Sequence, residues 1–383
     1  MPIPKPLDTL EVQDCLLIGL TVRSLAASAH KAGIGTYALD LFSDLDTREK
    51  SIKSLAVEYD GRGLESESLF ACIEQLDPNA ILPVVYAGGF EHNPSQIERI
   101  AESRQVLGNS ASVLTELKNP RLFSNTVSEL GIPVPRTRFD GPDSSGVWLC
   151  KSAGGSGGQE VRRATEINHD YNAEIYFQEF KSGQIVTATV LFTEKHTQIV
   201  GFSEQWCAES HSDGEFVYGG AVALGSNSLE SNISSSIEKA AALLAAHYQF
   251  RGLISLDTIV QNDEWWLLEV NPRPGATFEL HEGAESFLAA HCLAFCDHGP
   301  TLNSVTNMGE FTAHSVIYTS DALTLPSDWE WPMWVRDRAA SGESFEPGDP
   351  VCTAYATAGN SEKARQIVHD RHHHMVDMIG KLR

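Results

Sequence analysis

Acidic side chains stand inside two apolar runs of residues 251–275, RGLISLDTIVQNDEWWLLEVNPRPG, and this stretch constrains the fold more than any other. It predicts two strands, residues 253–260 and 265–271, joined by the polar turn QNDE. Asp257 lies within the first strand and Glu269 within the second. Because an unpaired buried charge is costly, carboxylates in such surroundings need a cation or another partner.

Three side chains that carry oxygen ligands can share one face of this hairpin. Glu269 and Asn271 are two residues apart on one strand, so they point to the same side of the sheet. Asp257 joins them if it pairs with Glu269, which requires an odd loop or a bulge, for instance Gln261 opposite Trp265. Two carboxylates and an amide oxygen suit Mg²⁺. The alternative is an edge hairpin with solvated acids.

The order D, then about a dozen residues, then E-V-N-P-R resembles the metal-binding hairpin of the ATP-grasp superfamily. The resemblance implies that Asp257, Glu269 and Asn271 bind Mg²⁺, with Mn²⁺ as an alternative metal, against the phosphates of ATP. It also implies that Arg273 is catalytic and faces the transferred phosphoryl group or a substrate carboxylate.

Composition narrows the classes of function. The chain has 383 residues, of which 42% are hydrophobic, so it can bury a large core distributed over several lobes. Its formal net charge of -23 argues against a nucleic-acid partner. Seven scattered cysteines without a C-x-x-C pair suit reduced thiols, and no apolar run reaches the length of a membrane span. We therefore expect a cytoplasmic protein with no membrane partner.

Residues 14–42 predict a βαβ unit with strands at 14–20 and 35–42 around a helix at 21–32. Asp40 follows Gly19 at the distance expected of a ribose-binding acid in a dinucleotide site. However, the G-x-G-x-x-G pattern would require further glycines where Thr21 and Ser24 stand. A dinucleotide-dependent oxidoreductase is therefore disfavoured, and we interpret the segment as a structural α/β lobe.

A Gly-Gly pair follows the predicted strand at residues 80–86, and open parallel sheets present ligands at the carboxyl ends of their strands. We therefore predict that Gly89, Phe90 and Glu91 contact substrate. The alternative is an ordinary loop.

Two lysines flank the middle of the chain. Lys118 precedes an N-P pair that predicts the start of a helix over residues 120–130. Lys151 ends a strand predicted at 147–150 and opens the sequence KSAGGSGG, which leads into a strand-like stretch at 159–163. No G-K-[ST] closes this loop, so it is not a Walker A motif. A glycine hairpin can fold its backbone N–H groups over phosphates, whereas the alternative is a flexible linker.

In the ATP-grasp resemblance both lysines bind the nucleotide phosphates, and Lys151 also counts as catalytic. The mobile lid over the nucleotide would consist of Gly154, Gly155, Ser156, Gly157 and Gly158.

The strand predicted at residues 173–180 resembles the adenine hinge of the same superfamily. There, Gln178 would meet the exocyclic amine, and the backbone of Glu179 and Phe180 would read the adenine edge. Gln184 stands where a glutamate commonly contacts the ribose.

The region after residue 200 corresponds to the place where ATP-grasp ligases bind their acceptor. The substrate contacts predicted there are Trp206, His211, Tyr218 and Gly219. His211 is a candidate base, and a solvated loop histidine is the alternative. A zinc site is not predicted at residues 291–298, because two C-x-x-C or H-x-x-x-H pairs are lacking. Histidines 372–374 are interpreted as a solvated helix face.

The resemblance implies an α/β ATP-grasp fold in three parts: a Rossmann-like lobe at residues 1–110, a central subdomain with the glycine lid at 111–182, and a catalytic lobe at 183–383. Ligases of this fold activate a carboxylate as an acyl phosphate with release of ADP, and an amine then displaces phosphate. The sequence leaves the oligomeric state open, with a homodimer as one option.

Several short motifs, GGFEHNP, LGN, SEQW, YGGA and NPRPGAT, resemble a narrower ATP-grasp group associated with methylofuran biosynthesis in methylotrophs. That resemblance implies small-molecule amino acid substrates, with glutamate joined to tyrosine or tyramine near Phe90, Trp206 and Tyr218. The alternatives are an ATP-grasp ligase for a nucleotide precursor or dipeptide, and a non-catalytic nucleotide-binding module.

Overall fold

The computed structural model describes residues 12–166, 175–209, 211, 213–296 and 301–382. The N-terminal part is a four-stranded parallel sheet in the order β3-β2-β1-β4. Its elements are β1 (Asp14–Ile18), α1 (Arg23–Ala32), β2 (Gly35–Asp40), α2 (Leu45–Lys50), β3 (Lys53–Ala56), α3 (Ser66–Leu76), β4 (Val84–Tyr86) and α4 (Ser95–Ala101). The predicted βαβ unit is confirmed. Beside β4, Val106 forms a single parallel bridge to Val84.

Two helices connect this sheet to the middle of the chain, α5 (Ala111–Lys118) and α6 (Pro120–Glu129). The sequence analysis predicted only the second. Ser110 caps α5 by accepting a hydrogen bond from the backbone of Val113, and Asn119 caps α6 in the same way. Lys118 therefore occupies the last turn of a helix, which holds its position more firmly than a loop would.

The central part is an antiparallel sheet in the order β5-β8-β6-β7. Its strands are β5 (Thr137–Arg138), β6 (Trp148–Ser152), β7 (Val161–Arg163) and β8 (Ile175–Glu179). The glycine-rich loop joins β6 to β7, so the predicted strand–glycine–strand hairpin is confirmed. Residues 173 and 174, which the sequence assigned to the strand before the hinge, lie outside the described residues.

The C-terminal part is an eight-stranded sheet in the order β13-β12-β9-β10-β11-β14-β18-β16. Its strands are β9 (Gln184–Phe192), β10 (Thr197–Cys207), β11 (Tyr218–Ala223), β12 (Gly252–Gln261), β13 (Glu264–Asn271), β14 (Phe311–Tyr318), β16 (Val335–Arg336) and β18 (Pro350–Ala358). The remaining elements are the small pair β15 (Leu323–Thr324) with β17 (Ser344–Phe345), and the helices α7 (Ser231–Tyr248), α8 (Phe287–Leu293) and α9 (Ser361–Gly380).

The two faces of the large sheet differ in chemistry. On one face, Leu256 of β12 and Leu267 of β13 pack in one core cluster with Leu244 of α7, and α9 covers β14 and β18. Burial of each such side chain stabilises the fold by about 1.5–3 kcal/mol. Because strand side chains alternate, the opposite face carries the polar residues, among them Asp257. We call this opposite side the cleft face.

Helix α9 carries the three successive histidines. His373 and His374 are exposed, as expected for a solvated helix face. His372 instead packs toward the sheet, where its Nδ1 lies 2.8 Å from the Ser315 hydroxyl. Among the described residues, no helix combines the length and the hydrophobicity needed to cross a bilayer.

Candidate active site

The β12–β13 hairpin brings its three oxygen-bearing side chains together on the cleft face. Asp257 pairs with Glu269, as predicted, and Asn271 pairs with Ser255. The bulge lies at Leu268, because Asp257 pairs with Glu269 while the next residue of β12 pairs with Leu267. The predicted pairing is therefore confirmed, and of the two means predicted for it, an odd loop or a bulge, the hairpin has the bulge. The example of Gln261 opposite Trp265 was wrong, because Gln261 pairs with Glu264 across a two-residue turn.

Hydrogen bonds link the three side chains. The Asn271 amide donates to Asp257 Oδ2 at 3.0 Å and to Glu269 Oε1 at 2.8 Å. Asp257 Oδ1 accepts from the Thr187 hydroxyl at 2.6 Å. Burial, together with the neighbouring Glu269 carboxylate, raises the pKa of Asp257. Two carboxylates in one half-buried cluster therefore repel each other, and a cation placed between them would stabilise both.

Lys118 supplies part of that positive charge. Its Nζ donates to Asn271 Oδ1 at 2.9 Å and lies 3.3 Å from Glu269 Oε2. Burial acts to raise the pKa of Glu269, but Lys118 and the Asn271 amide outweigh it, and the pKa falls. The Glu269 side chain is still 42% exposed, so it remains accessible from the cleft.

The donor set fits Mg²⁺. Hard divalent cations take carboxylate and amide oxygens, and Asp257, Glu269 and Asn271 offer these from one sheet face. The described part of the chain holds no group of three His, Cys, Asp or Glu side chains placed to bind a metal. The candidate centre thus rests on two carboxylates and an amide, with the remaining positions left to water or phosphate oxygens. His298 lies outside the described residues.

A second lysine points into the same space. Lys151, on β6, donates to Gln178 Oε1 on β8 at 2.7 Å. Burial lowers the pKa of Lys151, and the nearby Lys118 charge lowers it further. The two ammonium groups repel each other, so a negatively charged polyphosphate bound between them would be stabilised.

An open cavity lies between the central sheet and the hairpin, with about 520 Å³ of empty space that includes open solvent at its mouth. Both polar and apolar groups line it. The lining includes Lys118, Glu269, Gln178, Gly154, Gly155, Leu117, Phe123, Val127, Val134, Tyr176 and Leu268. The apolar side chains could pack against a base, and the polar ones could bind phosphates.

The glycine loop lies across this region and contacts both neighbouring lobes. Gly154 packs so closely on His92 and on the Glu91 carbonyl that an added Cβ would lie 3.0–3.1 Å from them. The Gly157 carbonyl accepts a hydrogen bond from the Tyr218 backbone at 2.9 Å. Gly158, at φ +77°, leaves no room for a Cβ beside the Phe216 carbonyl. Ser156 lies between these residues in the sequence, and the loop as a whole therefore contacts both residues 91–92 and residues 216–218.

Residues 117–277 match the model of the ATP-grasp domain family. The chain superposes on biotin carboxylase from Campylobacter jejuni in a β,γ-ATP complex, with TM-score 0.69 and 12% identity over 94% of this chain and 90% of that one.

Two further solved structures are similar over nearly their full length. The biotin carboxylase domain dimer of 2-oxoglutarate carboxylase from Hydrogenobacter thermophilus, with MgADP, ADP and bicarbonate, gives TM-score 0.69 and 11% identity over 94% and 88% of the two chains. N5-carboxyaminoimidazole synthetase from Staphylococcus aureus with ADP gives 0.65 and 13% over 95% and 97%. No curated protein matches the chain by sequence.

The chain has the ATP-grasp fold. The adenine hinge predicted at residues 178–180 makes contacts within the protein that the prediction did not include. Gln178 is buried with its oxygen on Lys151, and the N–H groups of Glu179 and Phe180 already donate to the carbonyls of Arg136 and Val147. Hence these two N–H groups are not free to read an adenine edge.

Gln184 lies on the other side of the ATP-grasp sheet from the cavity. It pairs with Val260, three positions from Asp257, and alternation turns its side chain to the helix face, near Ser231 and Ser234 of α7. This corrects the predicted ribose contact, which required the Gln184 side chain to point to the cleft face.

Arg273 is held by the N-terminal lobe. Its guanidinium bonds to Glu91 Oε1 at 2.6 and 2.8 Å, and the second Glu91 oxygen accepts from the Gly89 backbone at 2.6 Å. Burial acts to raise the pKa of Glu91, but the Arg273 charge outweighs it and the pKa falls. Glu91 therefore orients Arg273, and this corrects the prediction that Glu91 and Gly89 contact substrate directly.

Two aromatic residues predicted to contact substrate also lie away from the cleft. Phe90 is fully buried in the N-terminal core against Tyr86. Trp206 lies on the helix face of β10, where His369 and Arg365 of α9 pack against its ring. Both predictions are corrected, because a contact residue has to reach the cleft.

Of the remaining acceptor residues, only Tyr218 reaches the cleft region. The His211 side chain is fully buried; its Nδ1 accepts from the Asp213 backbone and its Nε2 lies 3.0 Å from the Gly348 carbonyl. Backbone groups thus engage both ring nitrogens in a buried packing position, which corrects its proposed role as base. Gly219 is buried within β11, and its carbonyl accepts from Ser315.

The sequence analysis missed polar residues that the sheet brings beside Asp257. Thr187 and Gln205 both hydrogen-bond to Asp257 Oδ1, and His314 and Tyr355 continue the same face on β14 and β18. The alternating pattern of β9 offers a signal for Thr187, a polar residue within an apolar run. Residues as distant as His314 leave no local signal.

Proposed function

We propose that this protein is an ATP-dependent carboxylate–amine ligase. The observation that carries the proposal is a cavity lined by Lys118, Glu269, Gln178 and the first glycines of the loop. Hydrogen bonds connect this lining to Lys151 through Gln178 and to Asn271 and Asp257 through Glu269 and Lys118. In the proposed reaction, a carboxylate oxygen attacks the γ-phosphorus of ATP and ADP leaves. An amine nitrogen then attacks the acyl carbon, phosphate leaves, and the nitrogen loses one proton.

Each group of residues has a distinct task in this proposal. Lys118 and Lys151 bind the negative phosphate oxygens and offset their charge. Bound Mg²⁺ would be held by Asp257, Glu269 and Asn271 and would supply further positive charge. Two of the similar solved structures contain ADP, and one of them contains it as MgADP, which supports ATP and Mg²⁺ as the ligands here.

The glycine loop would protect the activated carboxylate from water, and Arg273 would offset its negative charge. An acyl phosphate is hydrolysed in water, so the loop has to exclude water while the amine approaches. Its contacts to His92, Phe216 and Tyr218 support this proposed role. Arg273 lies two residues beyond Asn271 in the sequence and is held by Glu91. It would face the phosphoryl group or the substrate carboxylate.

The proposed substrates are glutamate and tyrosine or tyramine, in methylofuran biosynthesis. The support is the set of short motifs that resemble this group, together with Tyr218 as the one predicted aromatic contact that is not buried elsewhere. We propose that the amine binds on the Tyr218 side of the cleft, and the carboxylate on the Arg273 side.

The experiment is ADP release from MgATP across a panel of carboxylic acids and amines, with mass spectrometry of the products. Bicarbonate belongs in the panel because one similar structure contains it. We expect ADP release that requires both partners, and a product equal in mass to their sum less one water.

The matched variants are Lys151→Met, which we expect to lower the rate by about 10²–10³-fold, and the exposed Lys195→Met, which should leave it unchanged. ATP binding without ADP release for any pair would instead indicate a nucleotide-binding module.

A further inference from the structure

A chain of polar side chains on the cleft face lies outside the nucleotide site. The Tyr218 hydroxyl is 2.5 Å from His314 Nε2, and His314 Nδ1 is 3.2 Å from the Tyr355 hydroxyl. Tyr355 in turn donates to Glu279, and His314 Nδ1 lies 3.6 Å from the same Glu279 oxygen. The order is therefore Tyr218, His314, then Tyr355 with Glu279.

Hydrogen-bond directions settle which nitrogen of His314 carries the proton. The Tyr355 hydroxyl gives its own proton to Glu279, so its oxygen accepts from His314 Nδ1–H. His314 Nε2 is then without a proton and accepts from the Tyr218 hydroxyl. A carboxylate thus orients an imidazole whose free lone pair faces a tyrosine.

The N-terminal lobe fixes the charged end of this chain. Arg23 donates to Glu279 Oε1 at 2.7 Å and also to Asp337 at 2.9 Å. Burial acts to raise the pKa of Glu279, but Arg23 and His314 outweigh it and lower the pKa to about 2. Glu279 is therefore a carboxylate at neutral pH and would stabilise a charged His314.

The other end of the chain opens toward the cleft. His314 is 3% exposed, whereas Tyr218 is only partly buried and lies on the strand that bonds to the glycine loop. Burial raises the pKa of Tyr218 most, and the nearby Asp257 charge also raises it. Tyr218 thus contacts the glycine loop through its backbone N–H and a buried imidazole through its hydroxyl.

We propose that Tyr218 and His314 take the proton that the amine loses in the second half of the ligase reaction, with Glu279 as the positioning residue. As the nitrogen bonds to the acyl carbon and phosphate leaves, the N–H proton passes to the Tyr218 oxygen. The Tyr218 proton passes at the same time to His314 Nε2, and Glu279 stabilises the imidazolium. This inference rests on the proposed function and adds a base to it.

Hydroxylamine separates the two halves of the reaction. It is largely unprotonated at neutral pH and attacks an acyl phosphate without a base, so hydroxamate formation reports carboxylate activation alone. Positioned general bases contribute about 10²–10⁴-fold. We expect Tyr218→Phe and His314→Gln to lower amide formation from glutamate and tyramine at least about 100-fold, and to leave hydroxamate formation within about threefold of wild type.

Tyr318→Phe is the control, because Tyr318 is a neighbouring tyrosine whose hydroxyl donates to the Tyr218 backbone carbonyl and not to the Tyr218 hydroxyl or to His314. It should leave both rates within about threefold of the wild-type rates, well short of the loss expected without a general base. Equal losses of amide and hydroxamate in Tyr218→Phe would show a structural role and overturn the relay, as would unchanged amide formation. A wild-type enzyme that forms no hydroxamate overturns the proposed function itself.

A second measurement does not depend on substrate. In ¹⁵N-histidine-labelled protein, the signal that disappears in His314→Gln should show the tautomer protonated on Nδ1. A signal protonated on Nε2 would overturn the relay, because Tyr218 would then have no acceptor.

Discussion

The Arg273–Glu91 ion pair allows the sharpest test of how the N-terminal lobe holds the active site. The side chains are only 12% and 4% exposed, and two contacts of 2.6 and 2.8 Å join them. Replacing Glu91 by Gln keeps the shape and removes the charge. Breaking a buried pair costs about 3–5 kcal/mol. Because Glu269 and Asp257 still face Arg273, we expect the lower end, about 3 kcal/mol.

Thermal unfolding measures this cost. For a chain of 383 residues, an unfolding entropy of about 2.1 cal/mol/K per residue converts 3 kcal/mol into a Tm lower by roughly 4 °C. The control is Asp140→Asn, which breaks an exposed pair with Arg138 at 2.9 Å, and its Tm should stay within about 1 °C.

The double variant completes the test. Arg273→Met removes the stranded charge, so Glu91→Gln with Arg273→Met should be less destabilised than the sum of the two single variants. Strict additivity, or a Tm of Glu91→Gln equal to that of wild type, would refute the reasoning that a buried charge pair holds this arginine.

Three further predictions concern the loop, the sheet and pH. Gly158→Ala should raise the KM for ATP at least about tenfold in steady-state assays, and Gly157→Ala less, because both glycines have positive φ but only Gly158 faces a backbone carbonyl. Trp206→Ala should lower the unfolding free energy by about 2 kcal/mol in urea and leave substrate KM unchanged, because the ring packs on α9. Burial lowers the pKa of His281 and of His291 to about 4, so these two groups favour the folded state above pH 6.5 and lose that contribution as pH falls toward 4. Stability should therefore fall by up to about 2.7 kcal/mol per pH unit in that window, and replacing both with Gln should flatten the slope.

The metal hairpin could be predicted because its signal is local. The two-residue period of a strand puts Glu269 and Asn271 on one face of the sheet. Asp257 can share that face only if the hairpin has an odd loop or a bulge. Where that irregularity falls depends on packing around Leu268 and on the turn, so the sequence could not place it.

The errors at Gln184 and Trp206 share one physical origin. A strand side chain changes face with a shift of one residue, so Gln184 and Trp206 could not be assigned to a face before the register of β9 and β10 was known. The relay joins Tyr218, His314 and Glu279 from separate elements. Such contacts depend on the sheet order, which no local pattern encodes.

The central claim is that Asp257, Glu269 and Asn271 bind magnesium against a nucleotide. Calorimetric titration of MgADP into the wild-type protein and into Glu269→Gln tests it most directly, with Asp263→Asn in the exposed hairpin turn as the control. We predict a loss of affinity of about tenfold or more for Glu269→Gln, equivalent to about 1.4 kcal/mol, and none for the control. Equal affinity of all three proteins for MgADP would contradict the account.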